Sequence, residues 1–244
     1  MRIISLSPSI TEILFALGAD DQIVGVTTYC DYPEKAKTKP KMGDWVNIDF
    51  DKVKAANPDI VFTSTVVQEK ISEKLKSLGL RVVHFDLRRL SDIYGSIRYI
   101  GVVSGKTKEA GELVAKMENE FENIWRGANN MKRVYVEEWP RFVSCNWVPE
   151  LIEIAGGVSL GDSGVLSHKI TTNAVKKFNP DIIVISWCGV GTRVPKEKII
   201  ERPGWKGIKA VMEDKIYIID DSLLNRPGPR LVEGARLLAK LINE

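Results

Sequence analysis

Long apolar runs are absent from this chain. No window approaches the roughly 18 consecutive apolar residues that a membrane-crossing helix needs, so no segment is expected to span a bilayer. Cysteine is scarce: Cys30, Cys145 and Cys188 are odd in number and lack C-x-x-C spacing, which argues against a disulfide framework or a zinc site and leaves room for one bridge. Histidine is scarcer still, and His84 and His168 stand outside any metal-ligand spacing, so no bound metal is expected. The phosphate-loop pattern G-x-x-x-x-G-K-[ST], a G-x-G-x-x-G after a strand, H-E-x-x-H and G-x-S-x-G are all missing, which removes the usual anchors for nucleotide, zinc-protease and serine-hydrolase chemistry. An excess of one charge is missing too. The 35 Lys+Arg against 32 Asp+Glu leave a formal charge of +3, spread along the chain. Lys35, Lys37, Lys39 and Lys41 alternate with small residues and Pro40 and read as a solvated loop, so nucleic acid is not an expected partner.

What is present is a soluble-type composition, 44% hydrophobic and 27% charged, over 244 residues, enough for two lobes of roughly 100 residues. Short β-branched runs at Ile3 to Leu6, Ile23 to Thr27, Ile60 to Thr63 and Val82 to Phe85, then Arg133 to Val136, Ile182 to Ile185 and Ile216 to Ile219, alternate with helical patterns. Such alternation predicts an α/β fold with largely parallel sheets. Ser9 and Glu12 have capping-box spacing ahead of Ile13, Leu14 and Leu17, with Gly18 as the stop. From Thr107 to Asn129 one stripe carries Ala110, Leu113, Val114, Met117, Phe121, Ile124 and Trp125. About 22 residues at a rise of roughly 1.5 Å span on the order of 33 Å, enough for a strut between lobes. The predicted organisation is an N-terminal α/β lobe over 1–104, an interlobe helix over 105–130 and a C-terminal α/β lobe over 131–244.

An internal repeat supports two related lobes. Val53-Lys54, Asn57-Pro58-Asp59-Ile60 and Ser64 return 122 residues later as Val175-Lys176, Asn179-Pro180-Asp181-Ile182 and Ser186. In each copy a short helix ends before proline and the chain enters an apolar strand. Residues that could carry chemistry gather just past strands. Ser5, Ser7 and Ser9 place hydroxyls at a helix N-terminus, where capping and anion binding are both open. Tyr29, Tyr32, Trp45, Trp139, Phe142, Trp147 and Trp187 fall in loops or at strand ends, where open α/β sheets bind ligands, and would suit a large flat molecule. His84 reads as structural, while His168 lies in a loop from which it could reach a ligand's metal.

The stretches Arg2-Ile3-Ile4-Ser5-Leu6-Ser7-Pro8-Ser9, Val24-Gly25-Val26-Thr27-Thr28-Tyr29-Cys30-Asp31-Tyr32-Pro33 and Asn146-Trp147-Val148-Pro149-Glu150-Leu151, with Ala155-Gly156-Gly157 and Arg226-Pro227-Gly228-Pro229-Arg230, resemble the BtuF-like cobalamin-binding proteins of ABC importers, the helical-backbone class of substrate-binding proteins. The resemblance covers nearly the whole chain. It implies two Rossmann-like lobes joined by one long α-helix, a ligand cleft between the lobes, cobalamin as ligand rather than catalytic cofactor, no enzymatic activity, an ABC-transporter permease as partner, and a monomer. By position, Tyr29 and Trp45 match aromatics that pack on the corrin ring, and Asp51 matches a carboxylate that docks on the transporter. Ser64 and Ser167 stand where close relatives have pocket tryptophans, and Asn173 stands where a second docking carboxylate is expected. Trp139, Trp147 and Cys188 would refill the pocket, with His168, Trp187 and Arg226 completing the expected ligand set. With no leader pattern before Ile3, Met1 as natural start implies the cytoplasm; a removed leader implies an extracytoplasmic, membrane-associated protein as in the family.

Two other readings compete. A siderophore or haem carrier would need arginines for an anionic ligand, and Arg193, Arg226 and Arg230 are available. A tetrapyrrole-handling enzyme such as a chelatase would need a proton acceptor, for which His168, Glu137 or Glu138 could serve.

Overall fold

The computed structural model describes residues 1–128 and 130–244; Asn129, where the long helical pattern was expected to end, lies outside the described residues. The chain divides into two compact units, Met1–Leu87 with Ser91–Lys116, and Arg88–Leu90 with Met117–Glu244. The long helix runs Thr107–Arg126, so it begins in the first unit and ends in the second. No described helix is long and apolar enough to cross a membrane.

The first unit holds β1 (Ile3–Ser5), β2 (Ile23–Val26), β3 (Ile60–Ser64) and β4 (Val82–Phe85) in the order β2-β1-β3-β4, all parallel. Parallel strands covered on both faces need apolar side chains throughout, and Ile3, Ile4, Ile60, Val61 and Phe62 are fully buried. The second unit holds β5 (Lys132–Trp139), β6 (Phe142–Val143), β7 (Gly157–Ser159), β8 (His168–Lys169), β9 (Ile182–Ile185) and β10 (Ile216–Ile218). Its parallel part runs β7-β5-β9-β10, the same arrangement as the first unit, and the antiparallel β6 and β8 extend it from the far end of β5.

The repeat therefore marks equivalent elements, down to the backbone. Asn57 and Asn179 both take positive φ, 44° and 48°, a conformation that asparagine tolerates better than most residues. Asp59 accepts from the Arg2 amide (2.6 Å) and Asp181 from the Arg133 amide (2.8 Å), while the Asp59 and Asp181 amides each donate back to the same residue's carbonyl at 2.8 Å. At Asp181, desolvation opposes ionisation, but hydrogen bonds from the Arg133 side chain, Lys209 and the Arg133 amide outweigh it and hold the carboxyl well below the usual carboxylate range. Ser64 and Ser186 are both buried at strand ends.

One expectation fails locally. The first helix spans Pro8–Ala16, so Ser7 is its N-cap and Ser9 lies inside the first turn. Proline is pre-set for the first helical position, and Pro8 starts the helix before a capping box from Ser9 to Glu12 can form. Gly18 does end the helix, at φ 65°. Cys30, Cys145 and Cys188 are free thiols, so the bridge left open by the sequence is not made.

Candidate functional site

The carboxyl end of the first unit's sheet is a polar floor with aromatics above it. Ser5, Ser7 and Ser9 are buried, with Thr11 donating to Ser5 Oγ at 2.8 Å and Ser64 to Ser7 Oγ at 2.9 Å. Ser7 and Ser9 share a further hydrogen bond of 3.0 Å. The hydroxyls thus satisfy one another, and Ser64, an expected ligand residue, is only 1% exposed. Cys30 closes the cluster against Thr11 and Thr27, and burial pushes its thiol pKa up.

Trp45 is held by a turn with its own logic. Gly43 has φ 119°, and a Cβ there would lie 2.2 Å from the Asn47 carbonyl oxygen, so only glycine fits. The Asp44 carboxylate accepts from the amides of Val46 (2.8 Å) and Asn47 (2.7 Å) and from the Asn47 side chain (3.0 Å). The Asn47 side chain and these amides keep the Asp44 pKa below its ordinary value. The Thr28 amide donates to Gly43 O at 2.9 Å, which ties the Tyr29 loop to this turn.

The central residue is one the sequence did not flag. Gln68, fully buried, uses its amide as an inserted peptide group: Oε1 accepts from Ser64 N (3.0 Å), and Nε2 donates to Leu6 O (2.9 Å) and Trp45 O (3.0 Å). In the second unit the equivalent rung is direct, with Ser186 N donating to Glu137 O at 2.9 Å. Gln68 therefore props β1 and β3 apart at their ends and fastens Trp45 to them. Around this frame Tyr29, Tyr32, Val46, Val66 and Val67 stay exposed, between 37% and 53%. Nothing in the helical spacing marks Gln68, because its partners lie 4, 62 and 23 residues away.

The second unit's sheet end carries the remaining expected residues. Trp139, at the end of β5, is 52% exposed, and Val165 and Leu166 are exposed in the loop before β8. Glu138 accepts from Ser144 Oγ at 3.1 Å and is also bonded by Ser167, whose Oγ accepts from the Cys145 amide at 3.0 Å. Desolvation pushes the Glu138 pKa up, and the two hydroxyls only partly offset it. His168 is exposed, with Nδ1 3.9 Å from Cys145 Sγ. The Cys188 amide donates to Glu138 O at 3.0 Å, and Asn225 Nδ2 lies 3.5 Å from Cys188 Sγ. Although the residue reaches the surface, its thiol is desolvated and feels the charges of Glu138 and Asp221, which push its pKa up to about 12.

Two expected ligand tryptophans are hydrogen-bonded within the second unit. Trp147 is 5% exposed and donates its indole N–H to Leu224 O at 2.8 Å, so it packs the core beside the helix Val148–Ile154. Trp187 is half-buried and donates to Glu137 Oε1 at 2.9 Å. Arg226 is half-buried, and of the other arginines weighed, Arg193 donates to Val190 O and Arg230 to Ser222 Oγ. His84 shares a 2.9 Å hydrogen bond with Thr63, and burial lowers its pKa. Asp51 and Asn173 are exposed in the first turns of the equivalent helices Phe50–Ala55 and Thr172–Phe178, next to the N-caps Asp49 and Thr171. Among the described residues no group of three or more His, Cys, Asp or Glu is arranged to hold a metal.

Two equivalent parallel sheets, each with a chemically elaborated carboxyl end, narrow the choice of families, and residues 3–223 match the model of one described as periplasmic binding protein. The chain belongs to the periplasmic binding protein family. Members of this family bind small molecules and work with ABC-transporter permeases, and the relatives of this binding protein are themselves substrate-binding proteins. It is 33% identical over 258 residues to an uncharacterized ABC transporter substrate-binding lipoprotein, YvrC, of Bacillus subtilis, covering 99% of this chain and 79% of that one. It is 23% identical over 252 residues to a vitamin B12-binding protein of Photorhabdus laumondii, covering 100% and 88%. A crystal structure of a possible iron-binding (periplasmic solute-binding) protein from Staphylococcus epidermidis superposes with a TM-score of 0.84 at 28% identity, covering 100% and 98%.

Proposed function

We propose that this binding protein carries a corrinoid, cobalamin, for uptake by an ABC importer, without catalysing a reaction on it. The observation that carries the reading is the exposed apolar surface at the sheet ends: Tyr29, Tyr32, Val46 and Val67 in the first unit and Trp139 in the second. Large apolar side chains left in water at the carboxyl ends of parallel strands are suited to a broad flat ligand. The polar groups of the second unit's sheet end, the Ser167 hydroxyl and a Glu138 carboxyl whose pKa burial raises, match an amide-bearing corrinoid better than a polyanion. Vitamin B12-binding relatives over the full chain support the same choice. Tyr29 and Trp45 are the rings that pack on the corrin in this reading, and no catalytic cofactor is called for.

A haem or ferric-siderophore ligand is the second reading, favoured by the exposed His168 imidazole and by the iron-binding description of the Staphylococcus epidermidis neighbour. Gel filtration of the purified protein after incubation with cyanocobalamin, haemin or ferrichrome, read by absorbance, separates the two. Burying one ring on the ligand contributes roughly 1.5–3 kcal/mol, so Tyr29→Ala and Trp45→Ala should each weaken cyanocobalamin binding by about tenfold or more in calorimetry. Haemin co-eluting in place of cyanocobalamin would replace the first reading by the second.

A further inference from the structure

Glu137 is fully buried near the carboxyl end of β5, and every lone-pair direction of its carboxylate is used. Arg202 donates to both oxygens at 2.6 and 2.8 Å, Tyr135 Oη to one at 2.8 Å and Trp187 Nε1 to the other at 2.9 Å. The Arg202 side chain is only 9% exposed, and its guanidinium stacks 4.7 Å above the ring centre of Trp205. A buried ion pair is costly, because both charges leave water, and apolar residues of similar volume often serve stability as well or better.

The first unit shows what the fold itself requires at this position. Ile3 pairs with Ile60 as Val134 pairs with Ile182, and Ile60 and Ile182 are repeat equivalents, so Leu6 is the counterpart of Glu137. Leu6 packs in a core with Ile4 and Val53, as Tyr135 and Val175 pack in the second unit's core. One unit fills the site with an aliphatic side chain; the other fills it with a carboxylate whose salt partner comes from 65 residues away. What the carboxylate does that leucine cannot is grip the indole of Trp187, one residue beyond the buried Ser186 at the sheet end.

We propose that Glu137 and Arg202 are positioning residues: they clamp Trp187 in one orientation, so that the ligand meets a pre-set aromatic face on the second unit. This deepens the proposed function and rests on it for the identity of the ligand. Fixing the ring beforehand removes an ordering cost from binding.

The test is the indole 15N–1H spectrum of the full chain, which contains six tryptophans, with Trp187 assigned by its loss in Trp187→Phe. The double variant Glu137→Leu/Arg202→Leu copies the first unit's solution. Expected is a thermal midpoint at or above that of wild type, a displaced Trp187 signal whose proton exchanges at least tenfold faster, and cyanocobalamin affinity about tenfold lower. Glu137→Gln keeps an acceptor for the indole and should restore part of the affinity; it also serves if the double variant does not fold. An unmoved Trp187 signal overturns the clamp. A released indole with affinity within twofold of wild type overturns its role in binding. If wild type takes up none of cyanocobalamin, haemin and ferrichrome, the proposed function and the ligand half of this inference fall together, while the indole signal still decides the clamp.

Discussion

Replacing Gln68 by methionine keeps the volume and removes the amide that bridges β1, β3 and the Trp45 turn. If the strands stay apart, the Ser64 N–H and the Leu6 C=O become buried orphans, each costing about 1–3 kcal/mol. If they close into a direct rung like that of Ser186 and Glu137, most of this is recovered and only the bond to Trp45 O is lost, about 0.5–1.5 kcal/mol. A methionine in the gap hinders closure without preventing it, so a loss of about 2–4 kcal/mol is expected, or a fall in thermal midpoint of roughly 5–15 °C for a chain of this size. Because two units need not unfold together, hydrogen exchange at the Ser64 amide serves as the local reporter, alongside urea melts and near-ultraviolet dichroism for Trp45. Gln68→Glu should be worse than Gln68→Met at neutral pH, since an ionised carboxylate would face two carbonyl oxygens. Burial raises the pKa of such a glutamate, so its stability is retained below the ordinary glutamate value and lost as pH rises through the raised one. A Gln68→Met variant within about 0.5 kcal/mol of wild type, with Ser64 still protected, would refute the bridge.

Glu138 obeys the same sign: its raised pKa means that stability present at low pH is lost as pH climbs above the ordinary glutamate range, and Glu138→Gln should flatten that slope in melts run from acid to neutral pH. Cys188, with its pKa pushed up to about 12, should react with iodoacetamide roughly 30-fold or more slowly at pH 8 than a free thiol, the loss of thiolate being partly offset by its higher nucleophilicity; labelling at the rate of glutathione would contradict the burial of the thiol beside the Glu138 and Asp221 charges. If docking uses one carboxylate per unit, Asp51→Asn should nearly abolish permease pull-down and Asn173→Glu should strengthen it and make it more salt-sensitive; wild-type binding indifferent to both substitutions would remove docking from these positions.

The sequence by itself determined what short-range sterics and periodicity decide. The β-branched runs become parallel strands because both faces of each sheet are covered, and the Asn-Pro-Asp turns adopt the same left-handed asparagine twice because proline stops each helix at the same place. Even there Pro8 overrode the more obvious cap at Ser9. The loops that hold Tyr29 and Trp45 were also legible, since one follows a strand pattern and the other a glycine turn, whereas Trp139 and His168, expected in loops or just past strands, lie in β5 and β8 because pairing with β6 carries both strands further than the sequence pattern does. Only the tertiary structure decided which of the candidate side chains are spoken for. Trp147 donates to Leu224, Ser64 to Ser7, and Trp187 to a carboxylate 50 residues away. It likewise decided that Gln68 in the first unit and Arg202 in the second, unremarkable in any local pattern, each make the buried polar bonds at their own sheet's end. Such bonds join residues far apart in the chain, and their geometry exists only once the strands are packed, so no spacing in the sequence can encode which partner a buried polar group will find.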